Sequence, residues 1–218
     1  MKQGNLPTQR VNISTQKMLG GIGSILIMLG WVTEIEILLI LFSIVGVVLW
    51  LISIYQLSKK LEKPSIFQNV LIGLILAVAV SVIASVLKEL SEGIKPYVSM
   101  GDEVLADMEW GIFVGIVAAY AILVVSAYLY KKAFEILAST TAHNLFRIAG
   151  LLIFVGVVII IPILYVLALL LMYAGYITIH AVESLKDEFF PLLIGVGFYM
   201  MFAVAFFTAP NEVEVQGT

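Results

Sequence analysis

Residues Leu151 to Leu171 read LLIFVGVVIIIPILYVLALLL, an unbroken apolar run. A strand of a transmembrane barrel alternates lipid-facing apolar and lumen-facing polar residues, and this run has no such alternation. Lipid excludes irregular or open-edged backbone, whose N–H and C=O groups would stay unpaired. A helix is what remains. Composition extends that reading to the whole chain: of 218 residues, 61% are hydrophobic and 12% charged, with a mean hydropathy of +1.09. Soluble domains carry about 25% charged residues. The expected class is therefore all-α, a polytopic transmembrane helix bundle.

Outward from the run, residues 146–181 are too long for one comfortable span and hold no polar turn, with Pro162 in the middle. Proline removes a backbone bond and kinks a helix, or sits in the first turn of a new one. One kinked helix and two spans are both open on this ground. A gapless shift of 126 residues bears on the choice: it lays Thr15 on Thr141, Gly30 on Gly156, Ser58 on Ser184, Lys60 on Lys186 and Glu62 on Glu188. Several aliphatic pairs match as well. The shift lays Glu34–Glu36 over Ile160–Pro162, which favours a second hairpin turning near Pro162, and it implies a 3+1+3 internal repeat. With ~20 apolar residues per crossing, seven spans are expected, at about 18–33, 37–57, 68–88, 110–130, 146–160, 162–181 and 190–209. Residues 1–17 then form an N-terminal segment, 18–209 the bundle with an outer loop at 89–109, and 210–218 a short tail. The first span has a basic lead (Lys2, Arg10, Lys17), but no small-x-small cleavage site follows it, so it reads as a retained span.

Lysine and arginine placement sets orientation. Seven spans put Lys2, Arg10, Lys17, Lys59, Lys60, Lys63, Lys131, Lys132, Arg147 and Lys186 inside, and only Lys88 and Lys95 outside. The expected location is the cell membrane, with a cytoplasmic N-terminus and an external C-terminus. A six-span reading moves only Lys186 to the wrong side, so charge alone does not choose. Trp31 and Trp110 fall at outer ends, and Tyr55, Tyr128, Tyr130, Tyr173 and Tyr176 toward inner ends, as aromatic belts do.

The stretch Lys17-Met18-Leu19-Gly20-Gly21-Ile22-Gly23, with the later Lys63-Pro64-Ser65-Ile66-Phe67-Gln68-Asn69, resembles an archaeal and bacterial family of small polytopic membrane proteins catalogued as a domain of unknown function. The resemblance, carried mainly by residues 15–75, implies a multi-helix membrane protein and brings no activity or site residues.

Several chemistries are excluded or poorly supported. The chain has no cysteine, which removes disulfides and thiolate sites. A net charge of −3 without a basic block argues against nucleic acid as a partner. No Asp, Glu, Lys, Arg or His falls in the middle third of any expected span, where a proton relay would need one. The hydroxyls of Ser43, Ser53, Ser81, Ser85, Tyr120, Ser126, Tyr165 and Tyr199 could line a neutral path, though bonding to a neighbouring helix or to the i−4 carbonyl is the plainer reading. Asp102, Glu103, Asp107 and Glu109 offer hard oxygen ligands but lack EF-hand spacing, and they read more simply as a helix start complementing its dipole. His143 and His180 stand without acidic or cysteine companions. Asn12-Ile13-Ser14 matches a glycosylation acceptor but is expected inside. Gly20-Gly21-Ile22-Gly23 follows no strand and is no phosphate loop. No catalytic, cofactor or metal site is expected.

Small residues recur every fourth position in the third span (Gly73, Ala77, Ser81, Ser85) and in the fourth (Gly111, Gly115, Ala119). Such stripes let helix backbones approach closely, either within the chain or against a partner. The first functional expectation is a non-enzymatic protein acting by association, as a complex subunit, an assembly factor or a lipid-organising protein. Its partners would be membrane lipids and a second copy or another membrane protein. The alternative is a small transporter of a neutral solute or lipid built on two parallel three-helix repeats.

Overall fold

The computed structural model describes residues 8–33, 35–94, 102–173 and 190–216. A short strand β1 (Thr8–Asn12) leads into α1 (Ser14–Val32), α2 (Glu36–Lys60), α3 (Pro64–Ile94), α4 (Asp102–Thr141), α5 (Asn144–Val155) and α6 (Ile161–Tyr173). Then come α7 (Phe190–Thr208) and a closing strand β2 (Glu212–Gln216). Among the described residues four stretches are long and apolar enough to cross a membrane: Glu36–Lys60, Pro64–Leu90, Trp110–Thr141 and Asn144–Leu164.

The helices close a ring. Each packs on the next in the order α1, α2, α3, α4, α5, α7, and α7 packs back on α1. Glycines set the closest approach. A Cβ on Gly23 would lie 2.7 Å from the Trp50 amide nitrogen and 2.8 Å from the Gly46 carbonyl oxygen, so α1 and α2 touch backbone to backbone. On another side of α1, Gly20 and Gly21 leave room for the rings of Phe206 and Phe207 of α7. The glycine-rich stretch thus seats α1 between two neighbours.

The ring packs unevenly along its length. At the end bearing the strands, Ile54, Leu57, Leu61, Ile66, Val70, Phe134, Leu137, Phe146 and Phe206 form a buried core. Phe134 stacks on Phe202 with centroids 4.6 Å apart, and Trp50, Phe146 and Phe206 extend the cluster. Toward the far end the same residue types are uncovered: Ile37 is 77% exposed and Val114 61%.

Two expectations are corrected. The first is the hairpin at Pro162. Residues Gly156–Ile160 form one π-helical segment joining α5 to α6, with helical dihedrals at both junctions, so Asn144–Tyr173 runs as one helix of about 45 Å at ~1.5 Å per residue. The bulge and the proline leave carbonyls without amide donors. The Ile161 N–H reaches back to the Gly156 oxygen, and Pro162 has no N–H to give. The Tyr120 hydroxyl of α4 supplies the missing donor, 3.3 Å from the Val157 oxygen and 3.2 Å from that of Val158. The helix therefore continues where a turn was expected. The matching of Glu34–Glu36 to Ile160–Pro162 fails with the hairpin, because Thr33 and Ile35 lie outside helix and Ile160–Pro162 within it. The 3+1+3 repeat is not confirmed, and its matches at Ser184, Lys186 and Glu188 lie outside the described residues.

The second correction concerns the tails. β1 pairs antiparallel with β2 from Thr8↔Gln216 to Asn12↔Glu212. Arg10 and Glu214, directly opposite, form an ion pair at 3.5 Å, and the Ile13 N–H donates to the Asn211 oxygen at 2.8 Å. Seven crossings would leave the tails on opposite faces. Five paired residues set the two strands side by side, and the seven spans are not confirmed.

The outer loop expected at 89–109 is largely helical backbone, since α3 reaches Ile94 and α4 begins at Asp102. Residues 95–101 and the side chains of Asp102, Glu103, Asp107 and Glu109 lie outside the described residues, as do His180, Tyr176 and Lys186 and the side chains of Trp31, Tyr165 and Tyr173.

Candidate functional site

A cavity of about 290 Å³ lies inside the ring, beside the aromatic core, and every ring helix lines it. Ile27 comes from α1, Trp50 from α2, Ala77 from α3, Tyr130 from α4, Val157 from the π segment and Tyr199 from α7. The remaining wall is mostly aliphatic and aromatic, and no charged side chain lines it among the described residues. Small-molecule sites are concave, mostly apolar and marked by a few convergent polar groups. The π segment adds a second mark, because π-bulges concentrate at functional sites.

The polar groups near the ring's interior divide into two kinds. Ser24 donates to the Gly20 oxygen, Ser53 to that of Gln16, Ser126 to that of Gly73 and Tyr120 to the bulge. Each of these ties the chain to itself. Trp50, 4% exposed, carries an Nε1–H that is buried and has no acceptor among the described residues. The hydroxyls of Tyr130 and Tyr199, also on the cavity wall, make no hydrogen bond among the described residues. Asn69 Nδ2 is the other unpartnered buried donor found there, and Asn69 does not line the cavity.

The strand-bearing end holds a polar tie of a structural kind. Lys17 donates to the Ala209 oxygen at 2.8 Å, next to the C-terminus of α7, where a cation complements the helix dipole. Lys60 donates to the Asn12 oxygen and to Gln16 Oε1, and Gln16 Nε2 donates to Gln56 Oε1. The two turns at this end are built alike. Glu62 and Ala142 both adopt positive φ, and the amides of Lys63 and His143 close onto the Ser58 and Ala138 oxygens in Schellman fashion. His143 Nε2 lies 3.1 Å from Thr208 Oγ1. Burial lowers the pKa of His143 from its ordinary value, and the Lys17 charge acts in the same direction against a backbone hydrogen bond at Ala205. Among the described residues no three His, Asp or Glu side chains gather as a metal would need.

The small-residue stripes divide between packing and open surface. Gly73 and Ala77 face the interior of the ring: Gly73 sits against Tyr130 and the Ser126 oxygen, and Ala77 lines the cavity. Gly115 accommodates Leu87, and Ala119 is buried. Ser81 and Ser85 are exposed, bonded to their own i−4 carbonyls, and Gly111 faces open space. Sequence reasoning placed Tyr130 in an interfacial belt and passed over Trp50. A tryptophan in the body of a span, away from the interfaces that this residue favours, was the available signal.

Comparison with known proteins places the chain within a family. A family model described as a protein of unknown function, DUF996, matches residues 42–177. It takes in Lys63–Asn69 and reaches well beyond residue 75, while Lys17–Gly23 precedes the matched region. An uncharacterized protein of Methanocaldococcus jannaschii is 28% identical over 185 residues, which cover 82% of this chain and 96% of the relative. No solved structure matches.

Proposed function

Because the chain belongs to the DUF996 family of proteins of unknown function, we propose a role from the geometry: a non-enzymatic six-span protein of the cell membrane that binds a small uncharged molecule inside its helix ring. The cavity to which all ring helices contribute carries this reading. A bundle that served only as a scaffold would gain by filling that space, since interiors pack to crystal-like density. The absence of charge from the described lining suits a neutral occupant. This moves the weight from association, the first expectation, to the neutral-solute alternative, now without parallel repeats.

In this reading the four helices long enough to cross are joined by α1 and α7 as further spans, six in all, and an even number would leave both tails on one face. Lys59, Lys60 and Lys63 at one strand-side turn, and Lys131, Lys132 and Arg147 about the other, support a cytoplasmic face there. Reporters fused at each end should both read cytoplasmic, and opposite readings would sink the topology. Association stays as a second reading, favoured by the open surface at Gly111 and by exposed Ser81 and Ser85. Native mass spectrometry of the protein taken from its own membrane in mild detergent separates the two. A stoichiometric small-molecule adduct supports the binding protein, whereas a stoichiometric partner polypeptide with no adduct favours association.

A further inference from the structure

We infer that the groove between α2 and α3 at the strand-bearing end binds a membrane phospholipid whose headgroup carries a primary amine, with Lys59 meeting the phosphate and Glu62 the amine. The groove lies outside the ring cavity and is independent of what that cavity holds. Its volume is about 550 Å³, and Tyr55, Lys59, Glu62, Pro64, Phe67 and Gln68 are among its lining residues. At the ~30 Å³ of a water-sized group, that is room for a phosphoethanolamine and its glycerol. It opens on the outer face: Ile54, Leu57, Ile66 and Val70 of the same two helices are buried in the core, whereas Tyr55, Lys59 and Gln68 are exposed.

Charge defines the headgroup. Lys59 and Glu62 are exposed, line the same groove and form no ion pair with each other or with any described residue. Neighbouring lysines leave that balance alone, since Lys60 is turned to the Asn12 oxygen and Gln16, and Lys63 does not line the groove. One cation and one anion match a zwitterion. A purely anionic headgroup would set a negative charge beside an unpaired Glu62, and a quaternary ammonium has no N–H for the carboxylate to accept.

Helical spacing places the acyl chains. On α2, Ile52 and Val48 continue the face of Tyr55 and Lys59, and on α3, Leu71, Ile75 and Val78 continue that of Gln68. All five are apolar and exposed. Both helices are long and apolar enough to cross a membrane. The groove therefore falls at the interface, where tyrosine is favoured, and the two stripes run from it into hydrocarbon. The rings of Tyr55 and Phe67 meet edge to face at 5.2 Å where the polar and apolar parts join.

Native mass spectrometry of the full chain in mild detergent, titrated with dioleoyl phosphatidylethanolamine, phosphatidylcholine or phosphatidylglycerol, reads the affinity of the first bound lipid. The expected result is one saturable site taking phosphatidylethanolamine about fivefold more tightly than the other two, the scale of an exposed ion pair. Glu62→Gln should remove the preference over phosphatidylcholine, and Lys59→Gln should weaken phosphatidylethanolamine by a similar factor. Lys132→Gln, at an exposed lysine of α4, should change neither. These are exposed polar positions, and unchanged helix content confirms that each variant folds. Equal affinities for the three lipids, tighter binding of phosphatidylglycerol, or a preference that survives Glu62→Gln would each overturn the proposal. So would displacement of the lipid by free phosphoethanolamine at equal concentration, because the apolar stripes would then contribute nothing.

Discussion

The strand-bearing half of the bundle and the far half are made of the same apolar residues, yet one is packed and the other is open. Ile54 and Leu57 of α2 are wholly buried, while Ile37 and Ile44, on the same helix toward its other end, are 77% and 60% exposed. Hydrophobicity does not separate them, because lipid is as apolar as a neighbouring leucine and gives helices no reason to associate. Polar ties separate them more than small residues do, since Gly30 also packs closely on Leu39 and Ser43 of α2 near the far end. Gly20, Gly23, Gly46 and Gly150 admit close neighbours, and Ser53, Gln16, Lys17 and Lys60 fasten the helices once they are close. In a membrane, apolar residues give the class, and the exceptions among them give the register.

This contrast can be broken most sharply at the aromatic core. Phe134→Ala should destabilise the bundle by about 3 kcal/mol, since a buried phenylalanine leaves a cavity that the surroundings only partly fill. Phe113→Ala, at an exposed far-side position, should stay within about 0.5 kcal/mol of the parent. Reversible unfolding in mixed micelles measures both, and equal losses would erase the distinction between the halves. Glycine contacts come next. Gly23→Leu drives a side chain into the backbone of α2 and should cost roughly 2 kcal/mol, whereas Gly111→Leu meets nothing within 4 Å and should be neutral. The same unfolding measurement decides it.

A smaller effect is expected at the bulge. Tyr120→Phe removes the donor to the Val157 and Val158 oxygens, at about 1 kcal/mol for an interhelical hydrogen bond. Amide exchange should quicken around Ile159–Ile163 while helix content holds. Unchanged exchange would show that the bulge needs no such support. The smallest effect is pH-dependent. His143 titrates below its ordinary value of 6.5 because burial disfavours the cation. The unfolded chain therefore binds the proton more readily. Stability is complete above about pH 6.5 and declines as pH falls from there toward the lowered folded value. The loss should be slight because the ring is partly exposed, and His143→Asn should abolish it in thermal scans at pH 5 and pH 7.5.

The sequence showed the class plainly and the topology less so. Leu151–Leu171 announced a lipid-facing helix, and the Lys17–Gly23 and Lys63–Asn69 stretches pointed to the family. Pro162 misled, because its effect depends on a hydroxyl from another helix. Tyr120 lies 42 residues earlier in the chain, and nothing local to the proline reveals that its freed carbonyls are satisfied. The tails were equally opaque. Five-residue strands carry little pattern of their own, and Arg10 opposite Glu214 is legible only after pairing. The cavity could not be read at all, since empty space has no residue to represent it.

The pairing of β1 with β2 has a consequence for biogenesis. The first strand leaves the ribosome long before its partner is synthesised, and α1 is made with the face at Gly20 and Gly21 still waiting for Phe206 and Phe207. The ring therefore closes last, when α7 slides between α5 and α1 and β2 zips onto β1. Until then the strand-side core lacks Phe202 and Phe206, and a chain that ends before α7 is an incomplete ring with an open seam.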